Sequence, residues 1–290
     1  MEVIGGPASY SLATKIAKKL NAKYVKANIH IFADGESKIT ISHKPRGKVI
    51  VVNSTYPPTD SNLIHTFSII DKAKKSASSI VAIIPYLGYL RQDIAFLPGE
   101  VVTSKVIAES FSAVGTSQII TIDAHSEIAL SYFKIPIKNV SAINKLAQYC
   151  KKLNLENPLV VAADFFWSAN AKKFADILST DSIAINKQRD PNTGKLHIIS
   201  PKMTDLKGRD VIILDDMIST GMSIINATHL LKRQNCGKIY VCCSHGLLVN
   251  DAKRRIKNAG VEKIICTNTI PSTNSIVDVS DLLASAALSF

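Results

Sequence analysis

Asp215 and Asp216, closely followed by Ser219, Thr220, Gly221, Met222 and Ser223, are the residues whose types and spacing point most directly to chemistry. The apolar run Val211-Ile212-Ile213-Leu214 before them reads as a buried parallel strand, and open α/β sheets hold ligands at the C-terminal ends of such strands. Adjacent carboxylates can accept hydrogen bonds from vicinal hydroxyls. A small Ser-Thr-Gly turn lets backbone N–H groups at the start of the next helix close around a phosphate. A phosphorylated ribose meets both requirements. Asp pairs at strand ends also serve as turn and cap residues, so the surrounding pattern has to decide.

Other segments place polar side chains at turns or strand ends. Phe32-Ala33-Asp34-Gly35-Glu36 combines an aromatic face, two acids and a flexible glycine, as an ordinary Asp-Gly hairpin turn also would. Tyr89-Leu90-Arg91-Gln92-Asp93 follows a buried strand and reads alone as a surface loop. Asp123-Ala124-His125 ends the apolar strand Ile119-Ile120-Thr121-Ile122 and puts His125 at a sheet edge, as a metal ligand or a capping group. Asp164 ends Leu159-Val160-Val161-Ala162-Ala163, and the aromatics Phe165-Phe166-Trp167 after it either reshape a ligand-facing wall or pack. Lys187 and Arg189 lead from a strand into the polar run Pro191-Asn192-Thr193-Gly194-Lys195, a basic hairpin tip or a cationic lid.

The elements that must hold these groups follow from the alternation of short apolar strands with amphipathic helices, which predicts an α/β fold with mainly parallel sheets flanked by helices. With 290 residues, 46% of them hydrophobic, the chain can bury a large core in two domains or one duplicated unit. Duplication shows in the sequence. Val49-Ile50-Val51-Val52-Asn53-Ser54, a helix around 63–75 and a strand over 79–84 run parallel to the strand before Asp215, a helix around 224–233 and a strand over 238–243. Asn53-Ser54 stands where the second copy has its carboxylates, so the sugar-phosphate site belongs to the second half. The expected organisation is a first half over 1–142, a second over 143–280 and an amphipathic helix over 281–290, capped by Asp281.

The formal net charge is +12, from 35 Lys and Arg against 23 Asp and Glu. Anionic metabolites suit that balance as well as nucleic acid does, but the basic residues are dispersed in pairs such as Lys18-Lys19 and Arg254-Arg255. No basic strand interleaved with aromatics is present, so no nucleic-acid partner is expected. No stretch approaches the roughly 20 apolar residues of a membrane span, and the N-terminus lacks a basic leader, which gives the expectation of a soluble cytoplasmic protein with no membrane partner. Cys150, Cys236, Cys242, Cys243 and Cys266 are odd in number, lack CxxC spacing and read as reduced core thiols.

In combination and in order, these motifs resemble those of the ribose-phosphate pyrophosphokinases, also called phosphoribosyl pyrophosphate (PRPP) synthetases, over nearly the whole chain. The stretch from Asp215 to Ser223 is similar to their PRPP-binding motif, with Met222 where a small residue is usual and Ser223 for Thr. Phe32 to Glu36 resembles their FxDGE segment, Tyr89 to Asp93 their YxRQD segment, and Asp123-x-His125 their DxH segment. Lys187-x-Arg189 resembles their catalytic loop, and Asp164 the Asp of PDxGG, with aromatics in place of its glycines. The resemblance implies two related phosphoribosyltransferase-like domains, the first binding ATP and the second ribose 5-phosphate, with the terminal helix packing on the first.

It further implies diphosphoryl transfer from Mg·ATP to the C1 hydroxyl of ribose 5-phosphate, giving PRPP and AMP. Phe32 would stack on adenine, Asp34 and Glu36 would meet the nucleotide's polar edge, and Arg91 and Gln92 would grip its phosphates. Asp215 and Asp216 would hold the ribose hydroxyls, and Ser219, Thr220, Gly221, Met222 and Ser223 the 5-phosphate. Lys187 and Arg189 would stabilise the transferring group, Arg189 also reaching ribose 5-phosphate. His125 and Asp164, with Asp123 nearby, would bind Mg²⁺, and the chain would form a homodimer or higher homo-oligomer. A phosphoribosyltransferase that consumes PRPP would have no use for a first half bearing Phe32, Asp34, Glu36, Arg91 and Gln92. A non-catalytic homologue would be expected to have lost Lys187, Arg189 or the Asp pair.

Overall fold

The structure, a computed structural model, describes residues 1–189, 196–199 and 206–290, with the side chains of 186–189 and 196–199 outside the described residues. By internal contacts the chain forms two compact units. The first comprises Met1–Ser141, Asn268–Pro271 and Asp278–Phe290, the second Ala142–Thr267 and Ser272–Val277.

In the first unit β1 (Glu2–Gly5), α1 (Tyr10–Lys19) and β2 (Lys23–Lys26) make a first crossover, and β3 (Asn28–Ile31) and β4 (Ser37–Thr40) an antiparallel hairpin. Then come β5 (Gly47–Val52), α2 (Thr59–Lys74), β6 (Ala77–Ile83), α3 (Thr103–Ala113), β7 (Gln118–Ile122), α4 (Glu127–Ser131) and β8 (Ile137–Val140). The sheet order is β2-β1-β5-β6-β7-β8, all parallel. Helices on both faces explain why Val49 to Val52 is one continuous buried run. Leu12, Ala13, Ile16 and Ala17 give α1 its buried stripe at helical spacing, and Lys18 and Lys19 lie in its last turn, where cations complement the helix dipole. Phe111, fully buried, meets Phe67 edge-on at 5.0 Å between ring centroids. Truncating it to Ala would cost about 3–5 kcal/mol.

The second unit repeats this plan. After α5 (Ile143–Cys150) come β9 (Leu159–Ala162), α6 (Ser168–Leu178) and β10 (Asp181–Ala184), then the antiparallel hairpin β11 (Asn186–Arg189) and β12 (Leu196–Ile199). It continues with β13 (Val211–Ile218), α7 (Met222–Lys232), β14 (Ile239–Gly246), α8 (Ala252–Asn258), β15 (Val261–Thr267) and β16 (Ser275–Val277). The parallel sheet runs β10-β9-β13-β14-β15-β16, the same order as in the first unit, with a hairpin inserted at the same point. The expected α/β fold with two related parallel sheets is therefore present, and the duplication is clearer in strand order than in sequence.

The final helix α9 (Ser280–Leu288) belongs to the first unit and packs on α1, burying Leu283, Ala284, Ala286 and Ala287. Its cap is not Asp281. The helix N-cap is Val279, Asp278 Oδ1 accepts the Ser280 N–H at 2.9 Å, and Asp281 Oδ1 accepts the N–H of its neighbour Leu282. Asp278 Oδ2 also accepts from Lys15 Nζ at 2.9 Å, tying α9 to α1. All five cysteines are free, and Cys150, Cys242, Cys243 and Cys266 are buried. Burial first, then a neighbouring thiol, pushes Cys242 and Cys243 well above the usual thiol range, which keeps them protonated. Among the described residues no helix is long and apolar enough to cross a membrane.

Candidate active site

β13 outruns its neighbour β9. Their pairing ends at Leu214 opposite Ala162, whereas β13 continues beside β14 until Ile218 lies opposite Gly246. Asp215 and Asp216 therefore lie inside the strand, on its overhang, not after its end as the sequence pattern suggested, because Met217 and Ile218 keep pairing with β14. Residues that alternate along a strand face opposite ways, and the burial follows suit. Asp215 and Met217 are half-buried, while Asp216, 3% exposed, and Ile218 are buried. The two carboxylates thus stand on different faces. Asp215 Oδ1 accepts the Asp216 N–H at 3.0 Å and Asp216 Oδ1 the Met217 N–H at 2.7 Å, so side chains satisfy donors along the overhang. Among the influences raising the Cys243 thiol is the charge of Asp215 beyond it.

Ser219 and Thr220 carry the chain from β13 to Gly221, the N-cap of α7, at φ +76°. The backbone angle there favours glycine, and a Cβ would sit 2.7 Å from Ile256 Cδ1, displacing that side chain. No side chain caps α7, and its first turn begins with the exposed Met222 and Ser223. Helix-start N–H groups without a side-chain cap, at the positive end of the dipole, are suited to an anion. The loop is fixed from behind, with Leu248 N–H donating to Ile218 O at 2.8 Å and Val249 N–H to Ser219 O at 3.1 Å.

In the first unit the Phe32–Glu36 segment is the tip of the β3–β4 hairpin. Phe32 N–H donates to Glu36 O and Gly35 N–H to Phe32 O, and Gly35 has φ +92°. The Asp-Gly hairpin turn is therefore real, and it presents Phe32, 45% exposed, with its ring edge-on to His30 at 4.8 Å. Asp34 Oδ1 is taken up in the turn by the Glu36 N–H at 3.0 Å. Arg91 and Gln92 are exposed on a loop that starts from Tyr89 at φ +66°. Sequence reasoning missed what holds that loop. Asp93 Oδ2 accepts from Ser126 Oγ at 2.6 Å, and Asp93 O from Tyr132 Oη at 2.7 Å, fastening the Arg91 loop to the segment carrying Asp123 and His125.

His125 is exposed beyond the end of β7, an inner strand with β6 and β8 on either side, and so is not at a sheet edge. Asp123 is buried at φ +36°, an unusual backbone state for a non-glycine residue that often marks functional turns. In the second unit Asp164 caps a short 3-10 turn through the Phe166 N–H at 3.2 Å, and Phe165 and Phe166 are exposed, Phe166 to 92%. Phe165 and Phe166 thus do not pack into the core of this unit, whereas Trp167 is half-buried. The backbone of Lys187 and Arg189 is on β11, opposite Ile198 and Leu196, while their side chains, and the polar run to Lys195, lie outside the described residues. In the first unit Asn53 turns inward. Its Oδ1 accepts the Ala8 N–H at 3.0 Å and its Nδ2 donates to Asn62 O and Thr66 Oγ1, a satisfied buried amide.

Residues 1–115 match a family model described as the N-terminal domain of ribose phosphate pyrophosphokinase, and residues 184–287 one described as the phosphoribosyl synthetase-associated domain. The chain is 34% identical over 290 residues to the ribose-phosphate pyrophosphokinase of Methanothermobacter thermautotrophicus, covering 97% of this chain and 98% of that one. It is 35% identical over 291 residues to the enzyme of the same name from Saccharolobus solfataricus, covering all of both. The crystal structure of phosphoribosylpyrophosphate synthetase from Mycobacterium smegmatis matches with a TM-score of 0.88 at 27% identity, over 99% of this chain and 97% of that one.

Proposed function

Because the chain belongs to the ribose-phosphate pyrophosphokinase family, we propose that its units divide the substrates, ATP to the first and ribose 5-phosphate to the second. The protein is an enzyme of nucleotide biosynthesis that makes PRPP and AMP from ATP and ribose 5-phosphate. The C1 hydroxyl oxygen bonds to the β-phosphorus, the bond from that phosphorus to the AMP oxygen breaks, and the hydroxyl proton is released. Such a transfer needs positioning and charge stabilisation and no covalent enzyme intermediate.

The observation that carries the sugar site is the overhang of β13, where two carboxylates lead straight into the uncapped start of α7. Asp215 and Asp216 hold the ribose hydroxyls in this reading, and Ser219, Thr220, Gly221, Met222 and Ser223 hold the 5-phosphate. Phe32 stacks on adenine, Asp34 and Glu36 meet the polar edge of the nucleotide, and Arg91 and Gln92 take its phosphates. Lys187 and Arg189 stabilise charge on the transferring group, and Arg189 also contacts ribose 5-phosphate. Among the described residues no group of three or more His, Cys, Asp or Glu side chains could cage a metal. Mg²⁺ needs no such cage, since it keeps several waters and takes one or two protein groups besides phosphate oxygens. His125 and Asp164 would each supply a ligand, with Asp123 two residues before His125 as a further candidate. When bound, Mg²⁺ neutralises charge on the triphosphate and its leaving group. Homodimeric or higher assembly and a cytoplasmic location complete the proposal.

Calorimetric titration of Asp215→Asn with Asp216→Asn tests the sugar site. Each lost charge-assisted hydrogen bond is worth roughly 1.5–3 kcal/mol, so ribose 5-phosphate affinity should fall at least tenfold with ATP affinity little changed. Unaltered sugar affinity in a folded double variant would remove the assignment.

A further inference from the structure

We propose that Arg255 is a positioning residue for the phosphate-binding loop, holding the backbone around Gly221 in the shape that ribose 5-phosphate needs. The inference rests on the assignment of residues 219–223 to the 5-phosphate. Arg255 lies on α8, well outside the motif in sequence, yet its Nη2 donates to Thr220 O at 2.7 Å and its Nη1 to Met222 Sδ at 3.6 Å. One guanidinium therefore engages the residues on both sides of Gly221, the left-handed N-cap of α7. Its Nε is buried without a partner among the described residues, so this head group is not a freely solvated surface cation. Ile256, next on the same helix, fills the space beside Gly221.

The chemistry explains why arginine serves here. A planar fork of fixed donors can engage two acceptors at once, which the point-like ammonium of lysine does poorly. Met222 supplies the second acceptor, a soft thioether that a glycine at this position would lack. In a planar trans peptide, C=O and N–H point in opposite directions. Fixing the Thr220 carbonyl on Arg255 thus fixes the Gly221 N–H on the side away from Arg255, and that N–H is among the donors the phosphate would use. The positive charge also favours a dianion at the loop.

Arg255→Ala should raise the KM for ribose 5-phosphate roughly tenfold, leave the KM for ATP and the melting temperature unchanged, and speed amide hydrogen exchange at 220–223 without speeding it in the rest of α7. Arg255→Lys, keeping the charge but not the fork, should lie in between. A sugar KM and loop exchange equal to the parent's in Arg255→Ala overturn the proposal. If Asp215→Asn weakens sugar binding while Arg255→Ala does not, only the role of Arg255 falls; if neither does, the site assignment falls with it. Should Arg255→Ala fail to fold, Arg255→Lys decides: a sugar KM raised about threefold or more supports the clamp, and one below that overturns it.

Discussion

Lys187 is the residue whose removal separates chemistry from binding. Its backbone is on β11 at the base of a cationic hairpin, and a cation acting mainly on the transition state should affect turnover more than ground-state affinity. Lys187→Ala should lower kcat roughly 10²–10³-fold, the loss typical of one preorganised donor, with both substrate dissociation constants nearly unchanged. Single-turnover kinetics beside equilibrium titration check this, and a folded variant with kcat within about threefold of the parent would make Lys187 an ordinary surface residue. At this scale the residue types were readable from the sequence but their surroundings were not. Asp215 and Asp216 were found, yet their separation onto two faces was hidden, because the apolar run ends at Leu214 whereas the strand pairs with β14 as far as Ile218. Arg255 gave no signal at all, since its partners are a carbonyl and a thioether distant in sequence.

One of the groups that hold the Arg91 loop, the Ser126 hydroxyl, serves two elements. Ser126 Oγ accepts the Ala129 N–H at 3.1 Å as the N-cap of α4 and donates to Asp93 at 2.6 Å. Ser126→Ala removes both, and should destabilise the protein by about 1–3 kcal/mol and raise the KM for ATP through Arg91 and Gln92. A urea midpoint that falls with an unchanged slope would show the first effect, and a stability within about 0.5 kcal/mol of the parent would refute it. The helices and strands themselves were legible because hydrophobic period depends on local sequence. The loops were less so. His125 read as an edge residue because strand order is a long-range property, and β7 becomes an inner strand only when β8 pairs beside it. Likewise the N-cap of α9 is Val279, two residues before Asp281, because the helix starts at Ser280, whose N–H donates to Asp278.

For the whole molecule, acid stability has an identifiable contributor in Asp278. Burial opposes its charge, but the Ser280 N–H, the Lys15 ammonium and the Asn268 amide together hold its carboxyl down to about 2, from 3.8. A carboxylate whose native pKa is depressed adds stability that is complete above its unfolded value and disappears as pH falls through the native one. The parent should therefore lose melting temperature between about pH 4 and pH 2 more steeply than Asp278→Asn, and parallel curves would contradict this. Duplication, also a property of the whole chain, was only faint in the sequence because the halves share a strand plan more than residues. Asn53, where the second half has Asp215, fills its own surroundings with hydrogen bonds, which suits one sugar site in the chain, not two. Phosphorus-31 NMR of the protein with ATP, Mg²⁺ and ribose 5-phosphate tests the central claim most directly. AMP and PRPP should grow in equal amounts, the β and γ phosphorus atoms moving together to C1, with no turnover when the sugar phosphate is omitted; ADP as the nucleotide product, or AMP formed without ribose 5-phosphate, would contradict it.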